Sequence, residues 1–224
     1  MRRKINLETN NWYKYYQNAN QLWGSNPDFR LMQYFDLIKK GNVLDLGIGE
    51  GRNSIPFTLS NCDIDGVDTF EPALSRCEEI FKGIDTTINL INCDLREYDI
   101  KSDNYNLIIV ANILNFFKKS EIDIIVQKMK KGLKEDGILY LTVFSTLDPK
   151  FSLLNLNQEK FEENTFYIEE RNSYVHYFTQ KEINIYFSDF ELICVFEGIE
   201  YDTSHGTPHY HGGIDFMARK KRDT

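Results

Sequence analysis

From Gly41 onward, short runs of Ile, Val and Leu alternate with longer stretches whose apolar residues recur at helical spacing. Residues 43–46 (Val-Leu-Asp-Leu) predict a strand ending at Gly47, and residues 62–67, 88–91, 107–110 and 138–144 predict four more. These runs are apolar on both faces, as in parallel strands covered on each side by helices. Helices are predicted between them at 53–59, 72–81 and 121–133. Pro56 falls in a first turn, where a missing N–H costs little, and Ser120 is placed to cap the third helix. Such βα alternation predicts an α/β fold built on a doubly wound, mostly parallel sheet.

The ends of the chain follow other patterns. Residues 11–40 read as two aromatic-rich helices joined at Gly24-Ser25-Asn26-Pro27, so residues 1–40 are assigned as an N-terminal helical lid and 41–224 as the main domain. Residues 145–178 are polar without clear periodicity, a long excursion of the kind that often carries function. Thr179-Gln-Lys-Glu182 is a capping-box pattern opening a helix to about Phe187. Residues 190–196 and 213–218 then predict two late strands, paired antiparallel.

Composition narrows the function classes. A chain of 224 residues suits one large domain or two small ones, and 26 Lys and Arg against 34 Asp and Glu give a formal net charge of −8. That balance argues against nucleic acid as the partner. The longest apolar stretch, 107–117, is too short for a membrane span and is interrupted by Asn112 and Asn115. No apolar run follows the basic start of the chain, so no signal peptide is expected. Four scattered cysteines (Cys62, Cys77, Cys93, Cys194) without a CxxC pair fit reduced thiols in a cytoplasmic chain.

The strongest local signal is Val43-Leu-Asp-Leu-Gly-Ile-Gly-Glu-Gly51. Gly47, Gly49 and Gly51, between a strand and a helix, let the backbone pass very close to a ligand. A dinucleotide fingerprint needs glycine at position 52, which is Arg52, and Asp45 lies inside the preceding strand. Both departures favour a ligand with a cationic end over a diphosphate. Asp68 ends the second strand, where a carboxylate can accept from both ribose hydroxyls. Asp94 ends the third, where it can accept from an adenine amino group. Each acid could instead cap its following turn, but three acids in successive βα units beside a glycine loop favour ligand binding.

These residues resemble the class I S-adenosylmethionine-dependent methyltransferases over about residues 41–144. The stretch Leu44-Asp-Leu-Gly-Ile-Gly-Glu-Gly-Arg-Asn-Ser54 and the ending Met217-Ala-Arg-Lys220 are most similar to the tellurite-resistance type. The resemblance implies a Rossmann-like seven-stranded sheet of order 3-2-1-4-5-7-6 with strand 7 antiparallel. It also implies S-adenosylmethionine as cofactor, with the glycine loop under its methionyl part, Asp68 on the ribose and Asp94 at the adenine. Arg52 and Asn112 join this cofactor set, and Tyr16 and Trp23 of the lid are candidates to cover the sulfonium, since aromatic faces attract cations. Most of the lid's rings are expected simply to pack on the sheet. Asn112-Ile-Leu-Asn115 lacks the paired prolines of amino-directed nucleic-acid methyltransferases. With the acidic charge, this points to a small-molecule acceptor: a chalcogen oxyanion, a thiol or another metabolite.

Three of the four histidines fall at His205, His209 and His211, in a loop ahead of the last strand. They and Asp202 are suitable ligands for a transition metal, yet histidines there can equally handle protons or bind an oxyanion. A solvated turn is the third reading. His205 matches a histidine that the tellurite-resistance family uses in acceptor handling, whereas that family's arginines have no counterpart at 206–214. We take His205, His209 and His211 as acceptor contacts and assign no metal. Arg171 and His176, in the excursion, are further candidates to face the acceptor, although Glu169, Glu170 and Arg171 read equally as a solvated surface run. The competing functions are a non-catalytic module that senses the cofactor, and a metalloprotein built on the histidine cluster.

Overall fold

The apolar runs pair into one seven-stranded sheet. The structure is a computed structural model, and it describes residues 24–202 and 208–222. Strands β1 (Asn42–Leu46), β2 (Asp63–Asp68), β3 (Asn89–Asn92), β4 (Tyr105–Ala111) and β5 (Leu133–Phe144) are parallel. The small strands β6 (Thr165–Ile168) and β7 (Ser173–His176) form a separate antiparallel pair. The late strands β8 (Phe190–Asp202) and β9 (His209–Lys220) complete the main sheet in the order β3-β2-β1-β4-β5-β9-β8, with β9 antiparallel to both neighbours. Leaving the small pair aside, this is the expected 3-2-1-4-5-7-6 order with an antiparallel seventh strand.

Successive residues of the central strands point to opposite faces, and both faces are buried. Leu44, Leu46, Ile108, Val110, Leu139 and Leu141 pack against Ile122, Ile125, Val126 and Met129 of helix α4 (Lys119–Gly132) and Ile183 of α6 (Gln180–Tyr186). On the other face Val43, Leu107, Ile109, Ile138 and Tyr140 meet Phe57 of α2 (Ile55–Leu59) and Leu31 of α1 (Phe29–Gln33). Helix α3 (Glu71–Gly83) buries Leu74, Cys77 and Phe81 beside the glycine loop's Ile48. No helix among the described residues is long and apolar enough to cross a membrane.

Four expectations change. The excursion at 145–178 is not irregular: it holds α5 (Pro149–Asn157) and the β6–β7 pair, whose Phe166, Val175 and Tyr177 form a satellite core. Ser120 does not cap α4. The helix starts two residues earlier, with Lys118 as its cap, and the Glu121 carboxylate reaches back to accept from Lys118 N at 2.9 Å. The late strands run longer than predicted, from 190 to 202 and from 209 to 220. Of the N-terminal lid, residues 24–40 hold only α1 and a short 3₁₀ turn at Phe35–Leu37, with Leu31 fully buried on the sheet. Trp12, Tyr13, Tyr15, Tyr16 and Trp23 lie outside the described residues.

Thr179 caps α6 as expected, its hydroxyl accepting from Glu182 N at 3.2 Å. Thr179→Ala is therefore expected to destabilise the fold by about 1 kcal/mol. In a domain of this size that lowers Tm by roughly 2–4 °C, measurable by calorimetry or circular dichroism.

Candidate functional site

The loop after β1 is shaped by its glycines. Gly47, Gly49 and Gly51 have φ of 74°, 55° and 82°, left-handed values that residues with a Cβ rarely adopt. The turn lets Gly47 N and Ile48 N both donate to Val67 O, at 2.8 and 3.1 Å. Asp68 then bridges two segments: Oδ2 accepts from Gly49 N at 3.0 Å and Oδ1 from Phe70 N at 2.9 Å. Burial pushes the Asp68 carboxyl above its ordinary value, while the amide hydrogen bonds oppose the shift. The turn-capping role and a place beside the ligand loop thus coincide in one side chain.

The Gly-Arg-Asn-Ser sequence has a structural use. Ser54 Oγ donates to Asp45 Oδ2 at 2.7 Å, and Asp45 is buried, which pushes its carboxyl up to about 7. Arg52 pairs with Asp28 at 2.6 Å and donates to Asn26 O at 2.9 Å. Asn53 both donates to Asp28 Oδ2 and accepts from Asp28 N. Arg52 therefore ties the segment ahead of α1 onto the glycine loop, while still lining the cavity above it.

That cavity has a volume of about 650 Å³. Its floor is Asp45, the glycine loop and Asp68, and Asn112 enters from the β4 edge with φ 55°. A side pocket of about 200 Å³ shares Gly47, Asp68 and Ile113 with it and is lined by Asp94, Cys93 and Phe117. Asp94 accepts from Arg96 N and Arg96 Nε, both at 2.9 Å. Against the effect of burial, the Arg96 contacts hold the Asp94 carboxyl below its ordinary value.

The opposite wall is a single sheet face. In the β8–β9 pairing Asp202 opposes His209, Glu200 opposes His211, Gly198 opposes Gly213 and Phe196 opposes Asp215. Across β5, Thr142 opposes Asp215 and Phe144 opposes Gly213. Opposed residues and alternate residues share a face, so polar side chains of three strands converge on one space. Arg30 of α1 closes the far end, pairing with Asp215 at 2.6 Å and lying 3.6 Å from the Phe196 ring centroid. Burial pushes Asp215 up to about 6 despite that partner.

Within this wall His211 stacks on Phe144, rings 5.3 Å apart and 9° from parallel. Its Nδ1 meets Asp148 Oδ2 at 3.1 Å, and its Nε2 lies 2.7 Å from His209 Nε2. Asp148 is almost wholly buried and also accepts from Lys150 N and Gly212 N. No sequence pattern singles out Asp148. It sits in a polar stretch, and its only local mark is the Asp-Pro pair that opens α5.

The structure thus gathers Asp45, Gly47, Gly49, Arg52, Asp68, Asn112, His209 and His211 around one cavity, with Asp94 at its side pocket. Gly51 supports the loop from behind, since a Cβ there would meet Phe81 and Cys77 at 2.7 and 2.8 Å. Tyr16, Trp23 and His205 lie outside the described residues. Arg171 lines the cavity. His176 does not face it: the ring is buried, held by Thr165 Oγ1 at 2.7 Å and Glu182 Oε2 at 3.2 Å. Beyond Asp148, sequence reasoning also missed Asp28, Asn53 and Ser54.

Comparison with known proteins agrees with this architecture. Residues 43–137 match a family described as a methyltransferase domain. A carboxy-S-adenosyl-L-methionine synthase of Colwellia psychrerythraea is 32% identical over 108 residues, covering 45% of this chain and 43% of the relative. The match therefore spans less than half of that relative's length. Among solved structures, TehB from Haemophilus influenzae has a TM-score of 0.68 at 18% identity, covering 87% of this chain and 62% of TehB. A Burkholderia thailandensis 1,6-didemethyltoxoflavin-N1-methyltransferase, solved with S-adenosylhomocysteine and its substrate, has a TM-score of 0.69 at 14% identity, covering 96% and 88%. Residues 43–137 thus match a methyltransferase domain, and the strand order is the fold that these solved structures share.

Proposed function

We propose that this chain binds S-adenosylmethionine along the glycine loop and transfers its methyl group to a small molecule held by the β5–β9–β8 wall. One observation carries the reading: a single cavity runs from Asp45, Asp68 and the glycine loop to His209 and His211. The donor set fits the cofactor. Asp45 suits an ammonium, Asp68 keeps lone pairs for ribose hydroxyls, and Asp94 at the side pocket suits an amino-substituted ring.

The cofactor supplies an electrophilic methyl on a sulfonium; the protein's tasks are alignment and exclusion of water. The left-handed loop brings backbone, with no side chain between, against the methionyl part. Asp68 fixes the loop to the end of β2 so that cofactor contacts are in place beforehand. Asn112 stands at the β4 edge between the two ends of the cavity. His209 and His211 receive the acceptor, and Asp148 fixes the orientation of His211.

The acceptor wall presents Asp148, Glu200, Asp202 and Asp215, and its Arg30 is already paired with Asp215. Lys150 and Arg171 stand on the excursion side, where burial and then Arg171 hold Lys150 below its ordinary value. This charge distribution favours a thiol or another neutral or cationic metabolite over a chalcogen oxyanion. Product analysis across thiol, amine, carboxylate and oxyanion panels decides between them. A methylated oxyanion as sole product would reverse the assignment, and no product from any panel would favour the cofactor-sensing module.

The cofactor reading is tested by titration. S-adenosylhomocysteine is expected to bind with one-to-one stoichiometry, and Asp68→Ala to weaken it at least tenfold; no binding to the intact chain ends the reading.

The pH dependence follows from Asp45. Its carboxyl is raised in the ligand-free fold, so the stability of its protonated form is complete below the ordinary carboxyl range and is lost as pH rises through about 7. A cationic ligand favours the ionised form, so cofactor affinity is expected to change oppositely, rising with pH through about 7. Binding at pH 6 then releases a proton, seen in calorimetry with buffers of different ionisation enthalpy. Asp45→Asn should flatten both profiles; affinity that falls as pH rises through 7 contradicts the assignment.

A further inference from the structure

We propose that Asp202, His209 and His211 form a binding site for one divalent transition-metal ion of the zinc type, in the acceptor half of the cavity. The β-ladder creates the cluster. His209 and His211 are two apart on β9 and share a face, and Asp202 directly opposes His209 on β8. One ligand atom from each of the three lies within 4.8 Å of the other two. Asp202 Oδ2 is 3.9 Å from His211 Nε2, and the two Nε2 atoms are 2.7 Å apart.

The surroundings of His211 define which nitrogen is the ligand. Nδ1 faces the carboxylate of Asp148, which is almost wholly buried and anchored by Lys150 N and Gly212 N. A nitrogen facing a carboxylate carries the hydrogen, so in neutral His211 the Nε2 lone pair points at His209 and Asp202. A carboxylate behind a histidine, holding the far nitrogen toward a common point, is the arrangement that orients metal-bound imidazole and raises its basicity. Stacking on Phe144 fixes the ring plane as well.

The donor types select the ion. Two imidazoles and one carboxylate suit zinc and its neighbours better than calcium or magnesium, which prefer oxygen ligands. Imidazole nitrogens bound to one zinc at about 2.0–2.1 Å stand roughly 3.3 Å apart in tetrahedral geometry. The two nitrogens, 2.7 Å apart here, therefore need to separate by about 0.6 Å, which small side-chain rotations provide. Three ligands among the described residues leave a fourth position, for a thiolate or an oxygen of the acceptor. Metal binding itself does not depend on the methyl-transfer reading; only this use of the fourth position does.

The alternative for the same atoms is a proton shared between His209 and His211, and one titration separates the two. The full chain is stripped with a chelator and titrated with Co²⁺ followed by its visible absorption, then with Zn²⁺ in competition. The expected result is one equivalent of Co²⁺ with the absorption of a low-coordinate site, displaced by Zn²⁺. His209→Gln and Asp202→Asn should each weaken Co²⁺ at least tenfold, and Asp148→Asn by roughly 10–100-fold. Titration with S-adenosylhomocysteine on the same preparations, affinity staying within threefold, certifies that the variants are folded and their loop intact. Absence of saturable Co²⁺ binding, or binding unchanged in both His209→Gln and Asp202→Asn, overturns the proposal. Saturable Co²⁺ binding in a chain that ignores S-adenosylhomocysteine would uphold the metal site and remove the methyl-transfer reading.

Discussion

The site depends first on the two-handed carboxylate of Asp68. One oxygen holds Gly49 N and the other Phe70 N, so a single half-buried side chain fixes the glycine loop and the entry to α3 against the end of β2. Hydrogen bonds to a charged acceptor are the stronger kind, and burial raises the cost of leaving such a group unpaired. The left-handed loop is otherwise a poorly restrained piece of chain, since glycine has more conformational freedom to lose than any other residue. Asp68 supplies the restraint from one side. The clasp of Arg52 and Asn53 on Asp28 supplies it from the other.

The second organising element is the alternation of side chains across β5, β9 and β8. Three strands present Phe144, Thr142, Asp215, Gly213, His211, His209, Asp202 and Glu200 to the same space. Glycines at 198 and 213 keep part of this face low, and the ionic residues rise around them. The wall is rigid because its backbone is a continuous ladder, unlike a set of loops, which must each be ordered separately. Asp148 extends the wall from the excursion by accepting from Gly212 N.

The sheet was most legible in β4 and the second half of β5, whose two-sided burial leaves nearly continuous apolar runs, whereas β1 is broken by Asp45 and β2 by Asp63 and Asp65. The glycine loop was legible because its residue types have few other uses between a strand and a helix. Strand ends in the late hairpin were not. Glu200, Asp202, His209 and His211 face a cavity, so the inward positions are polar and the usual contrast between faces disappears. The β6–β7 pair escaped for a related reason: four-residue strands with Thr, Tyr, Ser and His resemble a polar loop until Phe166 and Val175 are seen packed together. Ser120 was outcompeted as a cap by the reach of the Glu121 carboxylate.

The contact between β9 and the segment ahead of α5 has a consequence for how this scaffold can change. A Cβ on Gly212 would lie 2.2 Å from Asp148 N and 2.6 Å from Asp148 Cα, backbone atoms that no rotamer change can move aside. Two stretches of chain 64 positions apart therefore interlock at main-chain level. Any replacement of the 145–178 segment, whether by recombination between relatives or by a grafted loop, inherits a steric rule from the other end of the domain. Position 212 must stay without a side chain, or the incoming segment must turn away and take its half of the pocket with it.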